Sequence, residues 1–145
     1  MDYNISVKLI LEILTSNHLF NDLIFMVQKE VANKMNYKKN IKNNKLRFFI
    51  EATSIFKMNF DVPKHVFFPK PKIISTVITL KPIKKLKINK KELFFFANKI
   101  FSKKRKKISN ILEKHKYNDK YSKSLLDKRS EDLSTSELLY LFNKF

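Results

Sequence analysis

The absence of glycine is the feature that most constrains what this 145-residue chain can fold into. Turns with positive φ, and loops whose backbone closely approaches a phosphate, both favour a residue that has no Cβ. Dinucleotide-binding and phosphate-binding loops are built around such residues. The sequence therefore predicts a chain without a nucleotide-binding loop of its own.

Cysteine is absent as well, which excludes disulfides, cysteine-ligated zinc and thiol catalysis. The histidines at His18, His65 and His115 lack metal-ligand spacing, so we expect no metal site. The apolar stretch Ile5–Leu14 is flanked by acids and has no basic segment before it, unlike a signal peptide. No apolar run is long enough to span a bilayer. We expect a cytoplasmic protein with no membrane partner.

The net charge of +18 is unevenly distributed. Residues 1–33 contain two lysines and four acids, so the whole positive excess lies in residues 34–145. Such an excess favours polyanionic partners, above all nucleic acid. Lys, Asn, Ile and Phe also dominate the composition, as they do when AT-rich codons accumulate. Composition alone leaves open whether the charge reflects a partner or mutational drift.

The hydrophobic fraction of 43% is sufficient for a packed core. The apolar run Leu23–Val27 is typical of a strand in a parallel sheet covered on both faces. The periodicities predict helices over 5–14, 29–36 and 46–55 and strands over 56–62 and 73–80. The strand-bearing part ends near residue 85, which places an α/β part at 1–85 and an all-helical part at 86–145.

Two helix starts are marked in the second part. Asn89 and Ser134 are each followed three residues later by glutamate, which is the spacing of a capping box. We therefore predict helices over 89–101 and 134–144. Between them, the apolar residues from 101 to 112 fall on one face of a further helix.

The segment Phe67–Ser75 contains two prolines, Pro69 and Pro71. Each proline restricts its own φ and the conformation of the residue before it. A stiff loop of this kind can hold an aromatic ring outside the core for stacking on an unpaired base, with Lys70 and Lys72 on phosphates. Alternatively, the phenylalanines of the loop simply point into the core. The spacing leaves both interpretations open.

Five consecutive cations follow at Lys103, Lys104, Arg105, Lys106 and Lys107. Like charges at this density destabilise a helix, a cost that is offset when phosphates neutralise them. A solvated helix face is the alternative, and the sequence does not decide between the two. Residues 128–134 are interpreted as a polar loop and helix cap without catalytic implication.

Taken in order, several segments resemble the dimethyladenosine transferase family, which methylates two adjacent adenines near the end of small-subunit rRNA. Phe67–Ser75 matches the family's Phe-x-Pro-x-Pro-Lys-Val-x-Ser loop, and Phe25–Asn33 resembles its Met-x-Gln-Lys-Glu-Val-Ala stretch. Further matches are Tyr3–Ser6 with the end of Asn-Leu-Pro-Tyr-Asn-Ile-Ser, Phe101–Leu112 with an Arg-Arg-Lys helix, and Arg129–Leu133 with an Arg-x-Glu segment. Together they cover nearly the whole chain.

The resemblance implies the C-terminal part of a Rossmann-like methyltransferase core over 1–85, followed by a small all-helical rRNA-docking domain over 86–145. It implies S-adenosylmethionine as the cofactor and small-subunit rRNA or a pre-ribosomal particle as the partner. A target adenine would be held between aromatic rings, matched here by Tyr3 and Phe67. The cations at 103–107 would contact the RNA backbone.

The departures from the family pattern concern catalysis. The family asparagine that accepts from the adenine amino group would precede Met1, and Asp2 stands at the position of the motif's proline. Asn43–Arg47 replaces the family's Tyr-Gly-Arg-Leu-Ser. The glycine-rich cofactor loop would lie further upstream. We therefore assign no catalytic or cofactor-binding residue, and expect the chain alone to be inactive, with a separate amino-terminal half as a further partner.

The resulting hypothesis is an rRNA (adenine-N6)-dimethyltransferase represented by its C-terminal part. The leading alternative is a non-catalytic RNA-binding or ribosome-assembly relative that kept only rRNA docking. A second alternative is a related methyltransferase fold that acts on another rRNA or as a mitochondrial transcription factor.

Overall fold

The computed structural model describes residues 5–18, 20–36, 38 and 41–145. The chain divides into two compact units, each built from two stretches of sequence. The first unit comprises Met1–Tyr37 and Thr53–Lys87, and the second comprises Lys38–Ala52 and Ile88–Phe145. The stretch Lys38–Ala52 thus belongs with the helical residues, whereas the sequence division near residue 85 grouped it with the strands. The functional roles assigned to the two parts stay predictions.

The described residues contain six α-helices and three strands. The helices are α1 Ile5–Thr15, α2 Lys29–Met35, α3 Lys45–Thr53, α4 Lys90–Ile100, α5 Lys120–Leu126 and α6 Thr135–Phe142. The strands are β1 Leu23–Gln28, β2 Ser54–Val62 and β3 Ser75–Pro82. Short 3-10 turns lie at Lys64–Val66, Ile108–Asn110, Lys114–Lys116 and Ser130–Asp132.

The three strands form one sheet in the order β1-β3-β2, and both pairings are antiparallel. Leu80 in β3 lies opposite Leu23 in β1 and Phe56 in β2. The expectation of a parallel partner for Leu23–Val27 is therefore wrong for the strands described. β2 and β3 are joined by a loop with only one 3-10 turn, whereas parallel strands require a long crossover connection.

Burial alternates along the strands of this sheet. The side chains of Ile78 and Leu80 in β3, and of Leu23 and Val27 in β1, are buried on the face against which α1 and α2 pack. The opposite face carries apolar side chains that remain exposed, among them Ile24, Met26, Ile55 and Phe60. The described residues thus cover one face of the sheet, where the sequence predicted cover on both.

A cluster of phenylalanines forms the core of the second unit. The ring of Phe96 lies 6.0 Å from Phe48, 5.4 Å from Phe142 and 5.1 Å from Phe145, measured between centroids. Phe48 lies on α3 and also approaches Phe101, at 6.2 Å. Because aromatic rings contribute much of the buried area in a core of this size, these contacts explain why Lys38–Ala52 joins the helical residues.

The predicted helix starts at Asn89 and Ser134 are confirmed. The Asn89 carboxamide oxygen accepts from the backbone N–H groups of Lys91 and Glu92, at 3.0 and 3.2 Å. At Ser134 the reciprocal capping box with Glu137 is complete. The helix predicted through residues 101–112 is wrong, because α4 ends at Ile100 and the Ser102 hydroxyl donates to the Lys99 carbonyl at 2.7 Å.

Asp119 joins the start of α5 to the end of α6. Its carboxylate accepts from the Ser122 backbone N–H at 2.8 Å and from the Ser122 hydroxyl at 2.6 Å. Tyr140 donates to it at 3.1 Å, and Lys144 forms an ion pair with it. These bonds, led by that from Lys144, hold the pKa of Asp119 well below its usual range.

The low pKa of Asp119 predicts a defined acid sensitivity. A carboxyl group whose pKa is lower in the folded state stabilises the fold above its unfolded pKa of about 3.9, and the contribution disappears as pH falls below that value. Urea unfolding of the wild type between about pH 6 and pH 2 should therefore lose stability more steeply than unfolding of Asp119→Asn. Asp127→Asn, which removes an exposed carboxylate, should keep the wild-type slope. Equal slopes for all three proteins would refute this role of Asp119.

Candidate nucleic-acid interface

The first candidate site is the loop between β2 and β3, here called the proline loop (residues 63–74). Pro63, Pro69 and Pro71 restrict its backbone, and the Phe67 backbone N–H donates to the Lys64 carbonyl at 3.4 Å. The side chain of Phe68 is fully exposed, at 102% of its reference area, whereas Phe67 is half-buried. The core interpretation of the loop is therefore wrong for Phe68. The assignment of Phe67 to adenine stacking stays a prediction.

The proline loop carries positive charge and no acid. Lys70 and Lys72 are exposed, and no ion pair among the described residues involves either of them or Lys64. The acid nearest in sequence, Asp61, accepts from Lys29 and from Thr76, each at 2.7 Å. These bonds, led by the one from Lys29, lower the pKa of Asp61. The lysines of the loop thus remain available for phosphates.

The second candidate site is in the other unit, where the predicted cation run lies in a loop after α4. All five side chains from 103 to 107 are exposed. Lys107 forms a β-bridge with Arg129, and the Ile108 backbone N–H donates to the Lys128 carbonyl at 2.9 Å. Two basic segments that are distant in sequence therefore lie side by side. We call them the basic surface, which consists of Lys103, Lys104, Arg105, Lys106, Lys107, Lys128 and Arg129.

Sequence reasoning missed the part that Lys128 and Arg129 play in this surface. Spacing does not reveal a bridge between residues so far apart, although two adjacent cations before a cap were a weak signal. The one ion pair that the described residues form within the surface joins Lys107 to Asp127, at 3.3 Å between exposed groups. Exposed pairs of this kind contribute little, so the surface keeps its positive potential.

Two acids follow Arg129, and a lysine from a different stretch of chain neutralises them. Lys42 lies 3.0 Å from the Glu131 carboxylate and 3.4 Å from that of Asp132. Its hydrogen bond to Glu131, followed by that to Asp132, raises the pKa of Lys42. A backbone hydrogen bond joins the same two stretches of chain, because the Asn43 backbone N–H donates to the Glu131 carbonyl at 2.8 Å. These acids are thereby occupied, and Arg129 has no carboxylate partner among the described residues.

The remaining sequence expectations concern Tyr3, metal binding and membrane spans. Tyr3 is among the undescribed residues, so its predicted place in an adenine sandwich is not visible. The described part of the chain contains no group of His, Asp and Glu side chains that could hold a metal. Within the same ranges no helix combines the length and apolarity needed to cross a membrane.

The described residues do not fit an S-adenosylmethionine site. Nucleotide-like cofactors of open α/β folds bind at the carboxyl ends of parallel strands, beside glycine-rich turns. The strands described here pair only antiparallel, and the sequence has no glycine.

Comparison with known proteins adds independent evidence. The sequence model of the family described as "Ribosomal RNA adenine dimethylase" matches residues 1–145. A protein of Borreliella burgdorferi (strain ZS7), "Ribosomal RNA small subunit methyltransferase A", is 34% identical over 99% of this chain and 53% of its own length. A protein of the same name from Wolbachia sp. subsp. Drosophila simulans is 37% identical over 78% of this chain and 43% of its own length.

The fold is also similar to that of a solved structure. The crystal structure of a dimethyladenosine transferase from Plasmodium falciparum superposes with a TM-score of 0.76 and 25% sequence identity. The superposition covers 99% of this chain and 66% of that one. The chain spans about half the length of the curated relatives it matches.

Proposed function

Because this chain belongs to the ribosomal RNA adenine dimethylase family, we propose that it docks small-subunit rRNA and holds the target adenine for an S-adenosylmethionine-dependent (adenine-N6)-dimethyltransferase. The single observation that carries the proposal is the proline loop, which combines the family's motif with exposed lysines and a partly exposed Phe67. The methyl donor would be held by residues outside this chain. The partner would be a pre-ribosomal small subunit in the cytoplasm.

The two candidate sites would contact different parts of the RNA, one the backbone and the other a base. Contacts to phosphates set the position of a protein on a nucleic acid, whereas contacts to bases distinguish one sequence from another. The basic surface carries seven cations and would bind the RNA backbone without regard to sequence. The proline loop would act on the base, with Phe67 stacked against the extracted adenine and Lys70 and Lys72 on neighbouring phosphates.

One observation favours a second candidate function. The described residues do not fit a cofactor site, yet they include both surfaces that we propose to bind RNA. A non-catalytic relative that assists ribosome assembly would show the same combination. One experiment distinguishes the two functions. This chain is mixed with the amino-terminal half of the Borreliella burgdorferi relative, S-adenosylmethionine and unmethylated small subunits, and methylation of the rRNA is measured. Methylation supports the enzyme, and docking without methylation under all conditions supports the assembly protein.

The proposal predicts separate effects on binding and on the target base. Dimethyl sulfate footprinting of a small-subunit rRNA fragment that ends at its 3′ terminus should show protection of two adjacent adenines by the wild type. Phe67→Ala should restore their reactivity, whereas backbone protection in a parallel hydroxyl-radical footprint should remain, because stacking acts on the base alone. Since Phe67 is only half-buried, the variant should also lose less than the roughly 3–5 kcal/mol of stability that a fully buried phenylalanine provides.

Two results would contradict the proposal. Protection spread evenly along the fragment would show that the chain binds RNA only through its charge. Unchanged protection in Phe67→Ala would show that this ring does not hold the adenine. A matched Lys70→Gln variant should weaken the footprint as a whole and leave its pattern unchanged.

A further inference from the structure

Phe68 is the most exposed apolar side chain of the described residues, and nothing in them covers its ring. The peptide bond after it leads into Pro69, which restricts the backbone of Phe68 itself. Pro71 stiffens the following turn. The loop therefore presents the ring to solvent from a backbone with little freedom, which reduces the entropy lost when a partner binds.

The surroundings of Phe68 distinguish it from the other exposed apolar residues. Ile24, Met26 and Phe60 lie on the open face of the sheet, where Met26 and Phe60 both lie opposite Val77. Phe68 instead has Lys64, Lys70 and Lys72 near it in sequence, in a loop without a carboxylate. An apolar protein surface would leave those three charges without partners. An exposed aromatic ring in a loop with lysines on both sides of it in sequence matches an unpaired nucleotide, whose base would stack on the ring while its phosphates bind lysines.

We propose that Phe68 stacks on an unpaired RNA base next to the adenine, and so helps to select the sequence around the methylated position. This inference rests on the proposed function of the same loop. Phe67 and Phe68 are consecutive, but one side chain is half-buried and the other fully exposed. They therefore do not face the same way, and each ring serves a different base.

The test uses the full chain and a short single-stranded RNA that carries two adjacent adenines, with 2-aminopurine at one flanking position. Stacking quenches 2-aminopurine, so the wild type should quench it on binding. Phe68→Ala should weaken binding by about 5- to 150-fold, the range measured for single base–aromatic stacks, and should abolish the quench. Its melting temperature should stay at the wild-type value, because the ring has no packing to lose.

Three further variants define the interaction. Phe68→Trp should retain affinity and quenching, because it keeps an aromatic face. Phe68→Leu should behave like Phe68→Ala, because an apolar side chain without a ring does not stack. Val66→Ala is the matched control from the same loop, since its side chain is 56% exposed, and it should bind like the wild type.

The outcomes separate this inference from the proposed function. Unchanged binding by Phe68→Ala, or wild-type behaviour of Phe68→Leu, overturns the stacking role of Phe68 even when Phe67→Ala loses the adenine footprint. Binding to phosphatidylserine vesicles that depends on Phe68, without an effect on RNA, also overturns it. A wild-type chain that binds no RNA overturns both the inference and the proposed function.

Discussion

Replacing Phe96 with alanine is expected to lower the free energy of unfolding of the second unit by about 3–5 kcal/mol, the usual cost of truncating a buried phenylalanine. The side chain of Phe96 is completely buried, and its ring contacts those of Phe48, Phe142 and Phe145. Deleting it leaves a cavity between two stretches of chain that are distant in sequence. Denaturant unfolding followed by circular dichroism measures the loss.

The neighbouring residue provides the control for this prediction. Phe95 is 61% exposed, and its ring approaches only that of Phe145 among the rings described, at 6.1 Å. Phe95→Ala should therefore cost less than about 1 kcal/mol, as expected for an exposed aromatic contact. Similar losses for the two variants would show that the phenylalanine cluster is not the core of this unit.

Replacing the five cations at 103–107 with glutamine should weaken RNA binding at low salt by at least about tenfold and flatten its salt dependence. Each phosphate contact contributes roughly 0.7–0.9 to the slope of log K against log salt concentration, because binding releases counterions. Removal of five contacts would reduce the slope by about 3.5–4.5 on this basis. Filter binding of a small-subunit rRNA fragment at several salt concentrations gives the slope.

A control variant that loses the same net charge elsewhere distinguishes direct phosphate contacts from the general electrostatic attraction of a basic protein to RNA. Lys8, Lys57, Lys91, Lys120 and Lys123 are all exposed and lie outside the basic surface. Their replacement by glutamine removes the same charge and should leave most of the slope intact. A further variant, Lys128→Gln with Arg129→Gln, should reduce the slope by about 1.4–1.8, at the same roughly 0.7–0.9 per phosphate contact. Equal slopes for the wild type and the 103–107 variant would make the run a solvated surface, and mutational drift would then better explain its charge.

The sequence correctly predicted several features that depend on neighbouring residues, although the helix predicted over residues 101–112 is not formed. The helix starts at Asn89 and Ser134 follow from side chains that bond to backbone groups two or three residues away. The stiffness of the proline loop could likewise be predicted from the sequence, because Pro69 and Pro71 restrict their own backbone. Family membership followed from short motifs in a fixed order, and the family match over residues 1–145 confirms it.

Features that depend on distant partners were not predictable in this way. The apolar run Leu23–Val27 gives no indication of which strand it pairs with, and in the structure that strand is the antiparallel β3. The placement of Phe48 beside Phe96 decides the unit to which α3 belongs, and no local pattern encodes it. The bridge from Lys107 to Arg129 likewise joins segments with no shared periodicity. Sequence reasoning assigned stacking to Phe67 alone, whereas in the structure Phe68 is the more exposed of the two rings.

The interleaving of the two units has a consequence for synthesis of the chain. Residues 38–52 emerge from the translating ribosome before the residues of Ile88–Phe145 that complete their core. At about 5–20 residues per second, several seconds pass between the synthesis of Phe48 and that of Phe96. During that interval the aromatic face of α3 is exposed on the nascent chain, where chaperones and proteases meet it. In the finished protein, no single cleavage of the backbone releases either unit as one continuous fragment.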